Sequence, residues 1–448
     1  MKHNNGEPLP THCATDMQAQ IIQLLASVLS VVLLILSAAA CSTSGTPSVV
    51  ARYGQSVRGE VDGVGFLVLR GTPEEQGEAH GVLAAEDILR LLNETLVAQV
   101  EKHPGAWDAA IIPVVKAFDF PAHFEAELEA VFRGLQKALP DPDDRKVTLL
   151  GRKISIEDLQ ALNCIGDIMS ARSRIGDEGC SSFSVWGALT PDEGIMSARN
   201  LDYATFPGKV PFLVIAREPV DSDRLATLDL SGPGVLGVST AMNAEGIVLM
   251  QHDEDGLAVE ATTGFTPRLL VNRDAIERLR LGQNLDQIAQ LFSNKTTITG
   301  TNTHISFPSR NPANGPRACV VEWDGNPMEG GATVRLSDAH VEANALFCTN
   351  HYLRRREPKA GGGSSQSRMT SLVEAIRCAR TKGAAMGLEE AKQAMDAVAA
   401  SGDGVTYLTA IVYPDERRIV FATTPDTGVP ATKGRWVEIH WDDIFEMW

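Results

Sequence analysis

At Cys180 the hydrophobic periodicity of this chain changes. Upstream, apolar residues recur at three- and four-residue intervals across Pro121–Leu139 and Ser155–Ala171, the spacing of amphipathic helices. Downstream, Ser182–Leu189, Gly194–Ala198, Pro211–Ala216, Gly234–Ala241 and Ile247–Gln251 read as short strands broken by Gly, Pro and Asp turns. A fold for this chain therefore has to start a run of strands at an internal cysteine that directly follows a glycine.

The remaining pattern is mixed. Val61–Arg70 is a short strand, and Gly71-Thr72-Pro73-Glu74-Glu75 opens a long helix reaching about Lys102. A helical pair lies in Pro267–Phe292, with strands at Thr303–Phe307, Ala318–Trp323, Asn344–Thr349, Val405–Val412 and Arg418–Thr423. Helices intervene at Gln366–Arg380 and Leu388–Val398. The pattern alone predicts an α+β fold.

The junction Gly179-Cys180-Ser181-Ser182-Phe183 has a chemical reading. Attack of the Cys180 thiol on the Gly179 carbonyl would turn the peptide into a thioester, and hydrolysis would leave Cys180 as a new N-terminus. A free α-amine titrates at about 7.7–8.0 and a thiol at about 8.5, so one residue would carry both base and nucleophile near neutral pH. Downstream, Arg199 and Asp202 in Ser197-Ala198-Arg199-Asn200-Leu201-Asp202-Tyr203 offer a cation to stabilise thiolate and a carboxylate to hold the protonated amine. The bland alternatives are a small core cysteine, a surface ion-pair arginine and a turn aspartate.

Three further segments follow in order: Ala241-Met242-Asn243-Ala244-Glu245-Gly246, Thr349-Asn350-His351 and Ser367-Arg368. With the Gly-Cys junction they resemble the N-terminal-nucleophile hydrolases of the acyl-coenzyme A:6-aminopenicillanate acyltransferase family, with choloylglycine (bile-salt) hydrolases and acid ceramidase as more distant relatives. The resemblance implies a four-layer αββα sandwich with a mostly helical N-terminal segment. It further implies self-cleavage between Gly179 and Cys180 into a heterodimer, and a thioester acyl-enzyme acting on a linear amide of a small N-acyl compound, by hydrolysis or by acyl transfer. It assigns Cys180 as nucleophile, Arg199 and Asp202 beside it, Asn243 and Asn350 at the oxyanion, and Arg368 near the sulfur. The gap from Cys180 to Arg199 is longer than in bile-salt hydrolases, which calls for a longer hairpin. Gly77 and Gly81 echo a Gly-x-x-x-Gly of the same family, although such pairs also mark close helix packing.

Two other readings stay open at this level. One is a catalytically silent binding module on the same fold; the other is a papain-like cysteine protease using His351, which the α-amine would make redundant.

Residues 1–40 read as a signal peptide or membrane anchor, because Ile21–Ala40 is nearly all apolar. Ser37-Ala38-Ala39-Ala40-Cys41 suits cleavage and lipid attachment at Cys41, although Ala38 stands where a lipobox carries Leu. The predicted organisation is a tether over 41–60, a helical precursor segment over 61–179 and a catalytic αββα domain over 180–448. The predicted address is extracytoplasmic, with membrane association through the N-terminus. Lys359-Ala360-Gly361-Gly362-Gly363-Ser364-Ser365 reads as a flexible linker.

A net charge of −17 leaves no basic stripe for nucleic acid. The histidines lack ligand spacing, and Gly232-Pro233-Gly234 lacks the strand–loop–helix setting of a phosphate cradle, so no metal or other cofactor is expected. Cys319 and Cys348 sit in apolar strand-like runs and read as core residues rather than a disulfide framework.

Overall fold

The computed structural model describes residues 46–446, apart from 101–102, 104, 173–178, 205–210, 255–262, 313–314, 326–330, 337–341, 356–362, 382 and 403. The expected signal or anchor, Cys41 and the first part of the glycine linker lie outside the described residues. Among those described, no helix is long and apolar enough to cross a membrane.

The chain is a mixture of helices and sheets. Ten strands form the larger sheet in the order β1 (Ser48–Tyr53), β2 (Ser56–Val61), β3 (Val64–Gly71), β8 (Leu213–Pro219), β9 (Thr227–Ser231), β10 (Thr240–Asn243), β11 (Val248–Glu254), β12 (Gly300–Ser306), β13 (Ala318–Trp323) and β14 (Thr333–Arg335). Six form the second, in the order β15 (Ala345–Cys348), β6 (Ser181–Trp186), β7 (Ile195–Ala204), β16 (Gly404–Tyr413), β17 (Arg418–Thr423) and β18 (Val437–His440). A two-residue ladder joins β4 (Lys146–Val147) to β5 (Arg152–Lys153).

Alternation along the strands decides the packing. Val68, Val214, Leu228 and Met250 of the larger sheet meet Leu408, Ala410, Val412 and Phe421 of the smaller one in a shared core. Their strand neighbours point the other way. Leu67, Leu69, Leu213 and Ile215 pack on helices carrying Ile88, Leu92, Phe124 and Leu159. Phe183, Val185, Met196 and Ala198 of the smaller sheet pack on Leu372, Ile376, Ala391 and Met395. Each fully buried Val, Leu, Ile, Phe or Met among them contributes about 1.5–3 kcal/mol over its exposed state.

The structure corrects several expectations. The expected tether contains β1 and β2, which form an antiparallel hairpin at the sheet edge. Residues 61–179 carry β3 beside their helices, and β3 pairs in parallel with β8, so this segment shares the larger sheet with the residues after Cys180. The long helix is two, Pro73–Leu83 and Ala85–Val100, separated at Ala84. Its start is as predicted, with Thr72 and Glu75 forming a reciprocal capping box. Gly363, Ser364 and Ser365 of the expected linker begin the helix Gly363–Thr381. The long hairpin after Cys180 is present, with β6 and β7 paired from Ser181↔Asn200 to Trp186↔Ile195.

Gly77 and Gly81 are packing glycines. A methyl group on either would meet the Glu127 or Val131 carbonyl oxygen at 2.2 or 2.0 Å, and one on Gly134 would meet Glu78 O at 2.2 Å. The helices Pro73–Leu83 and Ala122–Ala138 therefore touch backbone to backbone.

Burial also fixes a pH dependence. His80 and His304 are fully buried, which pushes both down to about 3. A depressed histidine favours the folded state above its ordinary value near 6.5, and that contribution is lost as pH falls from there toward 3. Each should cost about 1.4 kcal/mol per pH unit below about 6. Urea denaturation at a series of pH values checks this, and His304→Gln should lower the slope by one proton. An unchanged slope would mean that His304 is protonated inside the fold.

Candidate active site

Cys180 stands one residue before β6, and the antiparallel ladder pairs Ser182 with Arg199. Arg199 thus lies diagonally across from Cys180 on the same face, within reach of a long side chain. Its Nη2 donates to Cys180 Sγ at 3.3 Å, and Nη1 donates to Thr240 Oγ1 at 2.7 Å and to the Ser239 carbonyl. Both residues are buried. The arginine joins Cys180 and β7 to the start of β10 in the other sheet.

Asp202 points to the opposite face of β7. Its Oδ1 accepts from Thr406 Oγ1 at 2.6 Å, and its backbone N–H donates to Cys180 Sγ. The β7–β16 ladder shifts register between Thr406 and Leu408, so Tyr407 is the extra residue of a bulge beside Asp202.

Asn350 and Arg368 close the other side. Asn350 donates from Nδ2 to Asp253 O at 2.6 Å and accepts from Arg368 Nη2 at 3.1 Å. Arg368 Nη1 donates to the Cys180 carbonyl and, at 2.8 Å, to Ser181 Oγ. Gly179 is buried against this pair: a Cβ there would lie 2.3 Å from Asn350 Oδ1 and 3.0 Å from Arg368 Nη2. A Cβ before Cys180 would have to push the Asn350 side chain aside and crowd Arg368.

Asn243 is not part of this group. Its Nδ2 donates to Ile276 O and Leu279 O, both at 3.0 Å, and its Oδ1 accepts from Glu245 N at 3.0 Å and Ile247 N at 3.1 Å. These four bonds use up its capacity, so it is a turn residue binding β10 to the neighbouring helix. Its backbone N–H donates to Ile247 O at 2.9 Å, so both donors expected to face the oxyanion, side chain and backbone, are engaged elsewhere. His351 is also elsewhere engaged, with Nδ1 bonded to Ser365 Oγ at 2.8 Å and Thr349 Oγ1 at 3.2 Å.

Electrostatics differ from the expectation in one respect. Burial pushes the Cys180 thiol above its ordinary value, and Arg199, which pulls it down, does not fully offset this. Burial likewise pushes Arg368 down. A dry pocket favours the neutral thiol.

Beside Cys180 and Asp202 opens a cavity of about 180 Å³. Its walls are largely apolar, including Leu91, Leu162, Phe212, Val235 and Tyr407. One part is polar. There Arg268, buried, pairs with Asp167 at 2.9 Å and Asp253 at 3.1 Å, and Gln251 joins Asp253. Sequence reasoning missed this group and Thr406. Strand β11 runs on to Glu254 rather than ending at Gln251, because the His252-Asp253-Glu254 run imitates a polar turn. The residue at 253 could have been found only by extending the strand's alternation through charged residues.

Among the described residues, no group of histidine, cysteine and acidic side chains could hold a metal ion.

No protein-family model and no curated protein matches the chain. Among solved structures it is similar to a variant of the conjugated bile acid hydrolase from Clostridium perfringens, at 12% identity and TM-score 0.37, over 59% of this chain and 92% of that one. It is similar to the Caenorhabditis elegans ortholog of N-acylethanolamine-hydrolyzing acid amidase, at 12% identity and TM-score 0.36, over 58% and 99% of the two chains. A third likeness is to penicillin V acylase from Agrobacterium tumefaciens, at 11% identity and TM-score 0.37, over 58% and 86%. Likenesses this distant assign the chain to no family.

Proposed function

We propose that this chain is a self-processing N-terminal cysteine amidase of the N-terminal-nucleophile type, whose two sheets and flanking helices form an αββα sandwich. One observation carries the reading. Cys180 Sγ is held by the buried Arg199, while the residue on its other side, Gly179, is sealed against Asn350 and Arg368. A core cysteine has no use for a buried guanidinium or for a glycine packed this tightly before it.

In the precursor, Sγ attacks the Gly179 carbonyl carbon. The carbon–nitrogen bond breaks, and the Cys180 nitrogen leaves as an amine after taking a proton. Water then cleaves the thioester, giving a Gly179 carboxylate and restoring the thiol. Arg368, next to both Gly179 and the Cys180 carbonyl, supplies charge for the oxyanion that forms on the way. Asn350 Nδ2 carries two hydrogens, of which the Asp253 carbonyl takes one.

In the mature enzyme the Cys180 α-amine replaces the missing base, with Asp202 orienting it and Thr406 orienting Asp202. The same sulfur attacks an amide carbonyl whose acyl group lies in the apolar cavity. The acyl-enzyme passes to water, or to an amine in the acyltransferase version of the reaction. The intact mass of purified protein tests the reading: a fragment beginning at Cys180 supports it, and a lasting single chain that hydrolyses no N-acyl amine sinks it.

Gly179→Ala gives a sharper result. The methyl group must displace Asn350 or Arg368, so self-cleavage should slow by roughly tenfold or more, consistent with the sensitivity of such steps to misplacement. The fold should be unaffected, and a time course of chain appearance on a denaturing gel reads the rate. Cleavage at the wild-type rate would mean that the tight fit at Gly179 is irrelevant to the cut.

A further inference from the structure

Of the expected strand Gly234–Ala241 only the last two residues join β10, and Gly232–Ser239 is a loop between β9 and β10. Six of its backbone polar groups are nonetheless held by side chains distant in sequence. Gly234 N donates to His80 Nε2 at 2.9 Å, and Gly234 O accepts from Asn163 Nδ2 at 3.0 Å. Leu236 N donates to Asn163 Oδ1 at 2.7 Å, and Leu236 O accepts from Arg273 Nη1 at 3.2 Å. Val235 O accepts from Arg217 Nη2 at 3.2 Å, and Ser239 O accepts from Arg199. All of these side chains are buried. Gly234 itself has φ of +79°, with Ile88 and Leu162 packed against the place of its missing Cβ.

Gly232, Val235, Gly237 and Ser239 of this loop line the cavity beside Cys180. A loop tied at so many points is a rigid wall, and a rigid wall limits how long a chain can enter. Two of its ties, His80 and Asn163, come from the segment upstream of Gly179. Of these, Asn163 is the keystone, since it holds Gly234 and Leu236 at once.

We propose that Asn163, with His80, determines specificity by holding the Gly232–Ser239 loop as the length stop of the acyl cavity. This rests on the reading of that cavity as the acyl site. Neither residue touches the reacting atoms; Asn163 also lines the cavity itself, whereas His80 does not, so His80→Leu is the variant that reads the loop alone. Releasing the loop should relax the limit on chain length while leaving Arg199 and Cys180 in contact.

The test measures binding rather than turnover. Linear saturated carboxylic acids of increasing length are titrated into the Cys180→Ala protein, and into the same protein carrying Asn163→Ala. The single variant should show an affinity optimum, with a fall of roughly tenfold for each added carbon beyond it, the scale on which apolar pockets sort methylenes. Adding Asn163→Ala should flatten that fall. In the Cys180-containing background, Asn163→Ala should leave the rate of self-cleavage unchanged. Should Asn163→Ala not fold, His80→Leu carries the same test, because it frees a single loop amide. His80→Gln, which keeps an acceptor within reach, should restore the limit.

An optimum that stays equally sharp in both proteins overturns the length-stop inference and leaves the amidase reading standing. Binding of no acid at any length, in either protein, overturns the acyl cavity itself and the inference with it.

Discussion

Cys180→Ala should yield one uncut chain with no amidase activity on any substrate. In the proposed mechanism the same sulfur performs the cut and the later turnover, and no described side chain stands ready to replace it. His351 is bonded to Ser365 and Thr349 instead. The thiol is fully inside the protein, so its removal leaves a small gap rather than an exposed defect, and the cost in stability should stay near 1 kcal/mol. Activity should fall by the whole catalytic factor of covalent chemistry, several orders of magnitude. Intact mass and a panel of chromogenic N-acyl amines read both outcomes. If Cys180→Ala still appears as two chains, a host protease makes the cut. If the uncut alanine protein retains turnover, the nucleophile lies elsewhere.

Arg199→Met should have the next largest effect. The methionine fills a similar volume but removes the only cation that touches the sulfur among the described contacts. Burial already pushes the Cys180 thiol upward and Arg199 opposes that rise, so its loss moves the thiol further up. An opposite charge at this range is worth roughly 1–3 pKa units, which would cut the thiolate fraction near neutral pH by about 10- to 1000-fold. The rate of iodoacetamide labelling of Cys180 against pH measures this directly, with or without a known substrate. The variant also removes one of two donors to the Ser239 carbonyl, which keeps the Gln251 N–H, at about 1 kcal/mol. The two effects separate in the data. A labelling curve that keeps its midpoint, beside a lowered melting temperature, would make Arg199 a brace between the sheets and nothing more.

Much of this fold could be read along the chain because parts of β6, β7, β11, β12, β13, β16 and β17 are runs rich in apolar and β-branched residues bounded by turn residues. The failures have particular causes. Strand β1 runs half exposed at the sheet edge, and its residues Ser48, Ala51 and Arg52 look like tether. Strand β9 carries Asp229 in a fully buried position, where its ion pair with Arg217 replaces the apolar residue that a pattern would seek. The break at Ala84 has no Gly or Pro to announce it. Gly234–Ala241 is apolar enough to be a strand, yet only its end joins β10, because His80, Asn163, Arg217 and Arg273 take up the backbone groups a ladder would have used.

The site divides in the same way. Cys180, Arg199, Asp202, Asn350 and Arg368 were visible as short local motifs, and the structure gathers them. Asn243 was visible as a motif too, but a motif does not say where an amide's four bonds go. Asp253, Asp167 and Arg268 meet only through tertiary packing of β11 with two helices, and no local spacing records that.

The parallel pairing of β3 with β8 has a consequence for the life of the molecule. A cut at Gly179 would alter the number of chains without altering the number of bodies, since the upstream fragment contributes three strands to a ten-stranded sheet. Severance would therefore be a maturation without a release. The fragment could not diffuse away as a signal, be exchanged for another copy, or be trimmed off to silence the protein. Whatever regulates such a molecule has to act before the cut or on the whole body afterwards, and its two polypeptides would age, and be destroyed, together.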